Sequence, residues 1–223
     1  MRELLFGPPR RARIHVRGAV VELGGGNDFP VDWKAFFEIF AGEPYRADYR
    51  EARVLDIGGH KGYFGAYALA HGAASVLTFE PAERNYRVLE RTAKPLRARW
   101  SVHKAALGSN TGTGVLLLDK TSWAHSLVSV ERPAGEQRVR IETLEHALSE
   151  LSNRGARTIV KVDAEGSECE ILARPGTLEN VDLVMVEWHP ETAPCTTDDL
   201  ARVAASAGLV RGVDRGVLRF ERR

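Results

Sequence analysis

From Arg53 onward, short apolar runs alternate with stretches whose apolar residues recur every three or four positions. That rhythm predicts buried strands alternating with amphipathic helices, the signature of an α/β fold built on a parallel sheet. A first strand spans about Arg53–Ile57, and a helix runs on to about His71. The second strand, Ser75–Phe79, ends at Glu80. Pro81 opens a helix whose Ala82, Tyr86, Leu89 and Ala93 share a face, and Pro95 stops it. The third strand is Trp100–Ala106, ending at Leu107-Gly108. Between Gly112 and Thr143 the rhythm breaks. There Val115–Leu118, Ser126–Val130 and Arg138–Ile141 read as short antiparallel strands. A helix over about Leu144–Asn153, a fourth strand Thr158–Asp163 and a helix to about Arg174 follow. The fifth strand, Val181–Glu187, is nearly all apolar, as a strand buried on both faces should be. A helix with Leu200, Val203, Ala204 and Ala207 on one face, then two short strands about Gly216, come last.

Residues 1–51 differ in character and read as an N-terminal extension to a domain of residues 52–223. Ile14–Leu23 alternates as two strands with a bend at Gly18, and Gly24-Gly25-Gly26-Asn27-Asp28 is a loop. Trp33, Phe36, Phe37 and Phe40 fall at i, i+3, i+4 and i+7, one helical face that is either core or a cover over a cleft. Gly42 and Pro44 end that helix. Arg10, Arg11, Arg13 and Arg17 form a solvated basic face, with an acidic partner as the alternative.

Composition narrows the class. The 223 residues suffice for one α/β domain with a sizeable core, and 43% hydrophobic with 27% charged residues is ordinary for a globular protein. A formal net charge of +1 supplies no field for nucleic acid or an anionic membrane. No apolar run is long enough to span a bilayer, and the N-terminus lacks the apolar core of a signal peptide. Two cysteines, Cys169 and Cys195, argue against a disulfide scaffold and for a reducing cytoplasm, and they lack the spacing of metal ligands.

The chemistry concentrates where strands end. Gly58, Gly59 and Gly62 follow the first strand, so a ligand can approach the backbone closely and meet the free N–H groups of the next helix. The dinucleotide fingerprint fails here: from Gly58 its later glycine positions hold His60 and Tyr63, and from Gly59 they hold Lys61 and Phe64. Asp56 stands before the glycines instead. A pyrophosphate gains nothing from that acid, whereas the ammonium and sulfonium of S-adenosylmethionine suit it. Glu80 ends the second strand and is placed to accept hydrogen bonds from both hydroxyls of a ribose. Ala105 and Ala106 are small enough for their backbone to meet an adenine edge, or simply to pack. Asp163 ends the fourth strand, with Lys161 on the same face two residues earlier. Lys161 is either functional or half of a structural ion pair. His189, held extended by Pro190, lies just past the fifth strand.

These stretches resemble the FkbM family of S-adenosylmethionine-dependent methyltransferases. The resemblance is carried by Val54-Leu55-Asp56-Ile57-Gly58-Gly59-His60-Lys61-Gly62-Tyr63-Phe64, by Phe79-Glu80-Pro81, by Ala105-Ala106-Leu107-Gly108, and by Val160-Lys161-Val162-Asp163-Ala164-Glu165-Gly166-Ser167-Glu168. It covers about Arg53–Trp188. It implies a Rossmann-like class I methyltransferase fold, with a mostly parallel seven-stranded sheet and helices on both faces. It also implies O-methylation of a hydroxyl on a sugar or other small secondary metabolite. On that footing Asp56, Gly58 and Gly62 form the methionine-side loop with Phe64 beside it, Glu80 and Pro81 flank the ribose, and Ala105 and Ala106 lie by the adenine. Gly59-His60-Lys61 departs from the family's usual residues, and His60 is expected to touch the methionine carboxylate, with a solvent-facing ring as the alternative.

Methyl transfer by in-line displacement needs a base for the hydroxyl proton, and Asp163 and His189 are the candidates. Asp163, Glu187 and His189 also offer donors for Mg²⁺, although no spacing demands a metal. Trp123 and His125 of the 122–126 turn, the aromatic N-terminal helix and Trp188 are candidates for the acceptor wall, with core or surface roles as the alternative. An amine acceptor, an NAD-dependent oxidoreductase and a non-catalytic cofactor binder are the other readings. The expected partner is a small-molecule acceptor, without nucleic acid or membrane, and a homo-oligomer is compatible with the sequence.

Overall fold

Strand β1 (Ala12–Val16) pairs antiparallel with β2 (Ala19–Leu23), and α1 (Phe29–Phe37) runs on into a π-helical turn at Glu38–Gly42. The computed structural model describes residues 12–16, 19–23, 28–122, 124–151, 156–174 and 176–223. Arg10, Arg11, Arg17, Gly18, the 24–27 loop and Trp123 lie outside the described residues.

The alternating region follows as β3 (Arg53–Ile57), α2 (Tyr63–Ala70), β4 (Ser75–Phe79), α3 (Glu83–Ala93), β5 (Trp100–His103), β6 (Ala106–Gly108), β7 (Gly112–Leu118), β8 (Gly135–Thr143), α4 (Leu144–Glu150), β9 (Thr158–Val162), α5 (Glu168–Leu172), β10 (Leu183–Val186), α6 (Thr197–Ser206), β11 (Leu209–Arg211) and β12 (Leu218–Arg222). Seven strands form the central sheet in the order β11-β12-β10-β9-β3-β4-β5. β12 is antiparallel to both neighbours, and the other pairs are parallel. The mostly parallel seven-stranded sheet is thus the one expected. Its core strands are apolar on both faces because both faces are covered. One cluster packs Val54, Val76 and Ile159 against α2, and the other packs Leu55, Val160 and Val184 against Leu144, Ile171 and Leu200.

The predicted third strand splits in two. Glu80 N–H donates to His103 O, but Pro81 has no N–H with which to extend the β4 ladder. The chain therefore changes partners, and Ala106–Gly108 pairs with Ile141–Thr143 in a separate three-stranded sheet. The predicted strand at Ser126–Val130 does not form beyond one bridge, Leu117 to Ser126. Ser126 Oγ donates to Glu165 O (2.6 Å) and accepts from Val128 N–H (3.0 Å), local bonds that compete with a ladder.

Cysteine usage is a second correction. Cys169 and Cys195 form a disulfide (Cα–Cα 5.9 Å), linking the start of α5 to the segment before α6. The inference of a reducing compartment from their number loses its support. Among the described residues, no helix is long and apolar enough to cross a membrane.

The aromatic face of α1 is shared between core and solvent. Phe36 is buried, stacked on Phe40 (4.5 Å) and set edge-on to Tyr63 (6.4 Å). Trp33 and Phe37 remain 47% and 59% exposed. Val21 and Leu23 of the hairpin join the same cluster as Tyr63, Phe64 and Tyr67 of α2.

Candidate active site

The strand order reverses between β3 and β9, and the loops leaving their carboxyl ends diverge there, as parallel sheets do at their ligand crevices. A cavity of about 320 Å³ opens at this point, within the range of small-molecule sites.

One wall is the β3–α2 loop. Gly58 has φ +75°, and a Cβ there would lie 1.7 Å from Asp163 O. Only glycine therefore lets β3 and β9 approach so closely. His60 also has positive φ (48°), and its N–H donates to Glu80 Oε2 (2.8 Å). Ala82 N–H donates to the other oxygen, Oε1 (2.8 Å). Burial still pushes Glu80 up to about 8, against those two bonds. The His60 ring contacts Ser122 Oγ (3.1 Å); burial, then the Lys61 charge, push its pKa well below the usual range.

Behind this loop lies an arrangement that the sequence did not reveal. Lys61 is buried, and its Nζ donates to Asp32 Oδ1 (2.6 Å) and Ser122 Oγ (3.2 Å) and pairs with Asp28 (3.5 Å). The departure at Gly59-His60-Lys61 thus ties α1 to the glycine loop. Ala35, Glu38 and Ile39 of that segment line the cavity, as do Pro44 and Tyr45 after it.

The opposite wall is the turn Asp163–Glu168. Lys161 Nζ donates to Gly58 O (2.7 Å) and pairs with Asp163 Oδ2 (3.2 Å) and Asp56 Oδ1 (3.3 Å). Burial disfavours its charge, but Asp163, Asp56 and Glu187 outweigh that and keep it protonated well above the ordinary lysine range. Glu168 is fully buried and accepts from Ala164 N–H and Gly166 N–H (both 3.1 Å) and from His189 Nδ1 (2.9 Å). Glu165, at φ 49°, is pushed up to about 8 by burial and then by Asp163. Tyr45 OH donates to Glu187 Oε2 (2.6 Å). The Lys-x-Asp-x-Glu-Gly-x-Glu run is therefore an ion-paired turn that holds two carboxylates, those of Asp163 and Glu165, on the cavity.

Among the expected residues, Gly58, His60, Phe64, Glu80, Pro81, Ala105, Ala106, His125 and Asp163 line the cavity. Four others do not. Asp56 lies under the loop, held by Lys161 and by Thr78 Oγ1 (3.2 Å). Gly62 turns the chain into α2 against Leu89 and Trp100. Trp188 packs on the hydrophobic cluster beside β10. His189 stands 3.5 Å from Glu165 and 4.0 Å from Asp163 without reaching the wall. Burial alone would lower its pKa, but the Glu168 hydrogen bond and the charges of Glu165 and Asp163 raise it to about 9. Asp163, Glu187 and His189 do bring donor atoms within 4.8 Å of one another.

The raised His189 pKa gives a stability prediction. A histidine protonated in the fold stabilises it fully below about 6.5, its ordinary value, and loses that contribution as pH rises through about 9. Glu80 and Glu165, also raised, act in the same direction up to about 8. Chemical denaturation midpoints should fall between pH about 6.5 and about 9, and less steeply in His189→Gln. An identical slope in that variant would contradict the assignment.

The wall also fits a polar, adenosine-like ligand. Asn85 and Ser167 line the cavity, and each carries a buried oxygen, Oδ1 and Oγ, without a hydrogen-bond partner in the protein. Phe79, Ala105, Ala106, Leu107 and Leu116 supply an apolar slot beside them.

The chain is similar to several solved methyltransferases. A methyltransferase FkbM from Methylobacillus flagellatus KT superposes with TM-score 0.55 at 15% identity, covering 86% of this chain and 50% of that one. The chain therefore spans about half the length of that protein. A TehB-like S-adenosylmethionine-dependent methyltransferase from Corynebacterium glutamicum gives TM-score 0.43 at 12% identity, covering 87% and 96%. The O-methyltransferase NcsB1 from neocarzinostatin biosynthesis, solved with S-adenosylhomocysteine and 1,4-dihydroxy-2-naphthoic acid, gives 0.45 at 12%, covering 87% and 58%. No curated protein sequence matches the chain. The sequence itself matches the methyltransferase FkbM domain over residues 56–203, the stretch that builds the glycine loop, the Glu80 corner and the ion-paired turn. That match covers well over half of the sequence, and the chain therefore belongs to the methyltransferase FkbM family.

Proposed function

We propose that this protein methylates a hydroxyl group on a small secondary metabolite or sugar, with Asp163 receiving the hydroxyl proton. When bound, S-adenosylmethionine supplies an electrophilic methyl group on a sulfonium. Gly58, Gly59 and His60 would hold its methionine end, Glu80 its ribose, and Phe79 with Ala105 and Ala106 its adenine. Asp163, paired with Lys161, places a carboxylate on the cavity wall beside the glycine loop. That carboxylate suits a sulfonium and can accept a hydroxyl proton.

The observation that carries the reading is Asp163 on the cavity wall, held by Lys161 at 3.2 Å. His189 fits the base poorly, because it keeps its own proton up to about pH 9 and lies off the wall. As an imidazolium between Glu168 and Glu165 it positions the turn instead. A hydroxyl acceptor is favoured over an amine on electrostatic grounds. Neighbouring carboxylates would keep an amine protonated and without a lone pair, whereas a hydroxyl has no such difficulty. His125 borders the acceptor side of the cavity. Incubation with isotopically labelled S-adenosylmethionine and a panel of hydroxylated and aminated metabolites, read by mass spectrometry, tests the class. Label appearing only on amines would refute it.

Glu80 gives a second test. As its carboxyl ionises around pH 8 it becomes a better acceptor for ribose hydroxyls. Affinity for S-adenosylhomocysteine should therefore rise between pH about 7 and about 9, and Glu80→Gln should remove the Glu80 part of that rise. Equal pH profiles in the two proteins would remove Glu80 from the ribose.

A further inference from the structure

A cluster of titratable groups lies where β5 and β8 meet α4, and none of its members lines the cavity. Glu142, His146 and Glu150 follow one another at intervals of four. Thr143 caps α4 by accepting from His146 N–H (3.3 Å), which brings Glu142 under the first turn of the helix. His103, the last residue of β5, reaches the same spot with its ring tilted against Phe79 (4.9 Å).

The donor atoms converge closely. His146 Nε2 lies 3.3 Å from Glu142 Oε2 and 3.4 Å from Glu150 Oε1. His103 Nε2 lies 3.2 Å from Glu150 Oε2. One donor from each of His103, Glu142 and Glu150 falls within 4.8 Å of the others. Glu142 is 4% exposed. Arg140 occupies its Oε1 at 2.5 Å. Its Oε2 is buried and has no hydrogen-bond partner in the protein, because the neighbouring imidazole is not aligned as a donor. A buried carboxylate oxygen in that state is costly, and a cation relieves it.

We propose that His103, Glu142 and Glu150 form a zinc site that fastens the end of β5 to α4, with His146 beside it and outside the ligand set. Zinc takes imidazole and carboxylate donors at about 2.0–2.2 Å, and three donors within 4.8 Å of one another close on it with small side-chain shifts, water taking the fourth position. The imidazole favours zinc over Mg²⁺ or Ca²⁺, and the absence of a thiolate in the set disfavours Cu(I). Arg140 leaves Glu142 monodentate, so the set offers three protein ligands. The inference is independent of the reaction proposed above.

The full chain, stripped with chelator and then freed of it, is titrated with ZnCl₂ by calorimetry and with Co²⁺ as a spectroscopic probe. The expected result is one equivalent of zinc per chain and intense four-coordinate Co²⁺ bands. His103→Ala and Glu142→Gln should each weaken binding by at least about tenfold. Circular dichroism and the melting temperature of each variant separate loss of zinc binding from loss of fold. His189→Gln should bind as the parent does, which separates this site from the Asp163–Glu187–His189 group. Weak six-coordinate Co²⁺ spectra, absence of zinc binding, or binding unaltered by His103→Ala and Glu142→Gln would overturn the proposal and leave four residues joined by ordinary ion pairs.

Discussion

Asp163→Asn lowers kcat by about 10²–10⁴-fold, the usual contribution of a positioned general base. Affinity for S-adenosylhomocysteine stays within a few-fold, because Lys161 keeps its bonds to Asp56 and Gly58 when Asp163 becomes neutral. That separation marks a residue that handles the proton rather than one that builds the site. Glu165→Gln provides the comparison. It shares the wall, but its carboxyl is already largely neutral below pH about 8, so the expected loss near neutrality is smaller. Steady-state kinetics with calorimetry of the demethylated cofactor reads both quantities. Full turnover in Asp163→Asn would remove this residue from proton transfer.

Among the described glycines, Gly58→Ala should be the most damaging single-methyl change. The new carbon would overlap Asp163 O at 1.7 Å, and the backbone at φ +75° disfavours any side chain. Relief requires β3 and β9 to part at the point where Lys161 bridges them. Overpacking of this kind costs about 1–3 kcal/mol, and the left-handed backbone adds about 1–2 kcal/mol. In a chain of this size each kcal/mol lowers Tm by about 2–4 °C, so a loss of about 10 °C is expected. Weak or absent cofactor binding should accompany it. Gly112→Ala is the control, since a Cβ there meets nothing within 4 Å. Equal melting temperatures for the two variants would show that the close approach at Gly58 is unimportant.

What the sequence disclosed was what short-range patterns encode. The β3–α2 turn, the ends of β4 and β9 and the parallel sheet all follow from runs of apolar residues broken by glycine or an acid. What it withheld depends on partners distant in sequence. The Lys61–Asp32 pair joins residues 29 apart, and nothing near Lys61 distinguishes it from a surface lysine. The bond between Cys169 and Cys195 follows from the segment before α6 returning to the start of α5. The division of the third strand was hidden because Trp100–Gly108 reads equally well as one strand or two, and Pro81 on its neighbour decides the matter. The environment of His189 was equally hidden, because the raised pKa follows from Glu168, Glu165 and Asp163, which the fold brings around it. One regularity was present yet unused: the four-residue interval from Glu142 to His146 to Glu150 sets all three on one side of a helix start.

The buried lysine behind the glycine loop has a mechanical consequence. Swinging α1 outward would strand Lys61 and Asp32 as separate charges in a medium of low polarity, a penalty of about 3–5 kcal/mol for a broken buried pair. That side of the crevice is a fixed jamb and not a door. Traffic of donor and acceptor has to pass the other margins, those bordered by His125, Leu127 and Gly216.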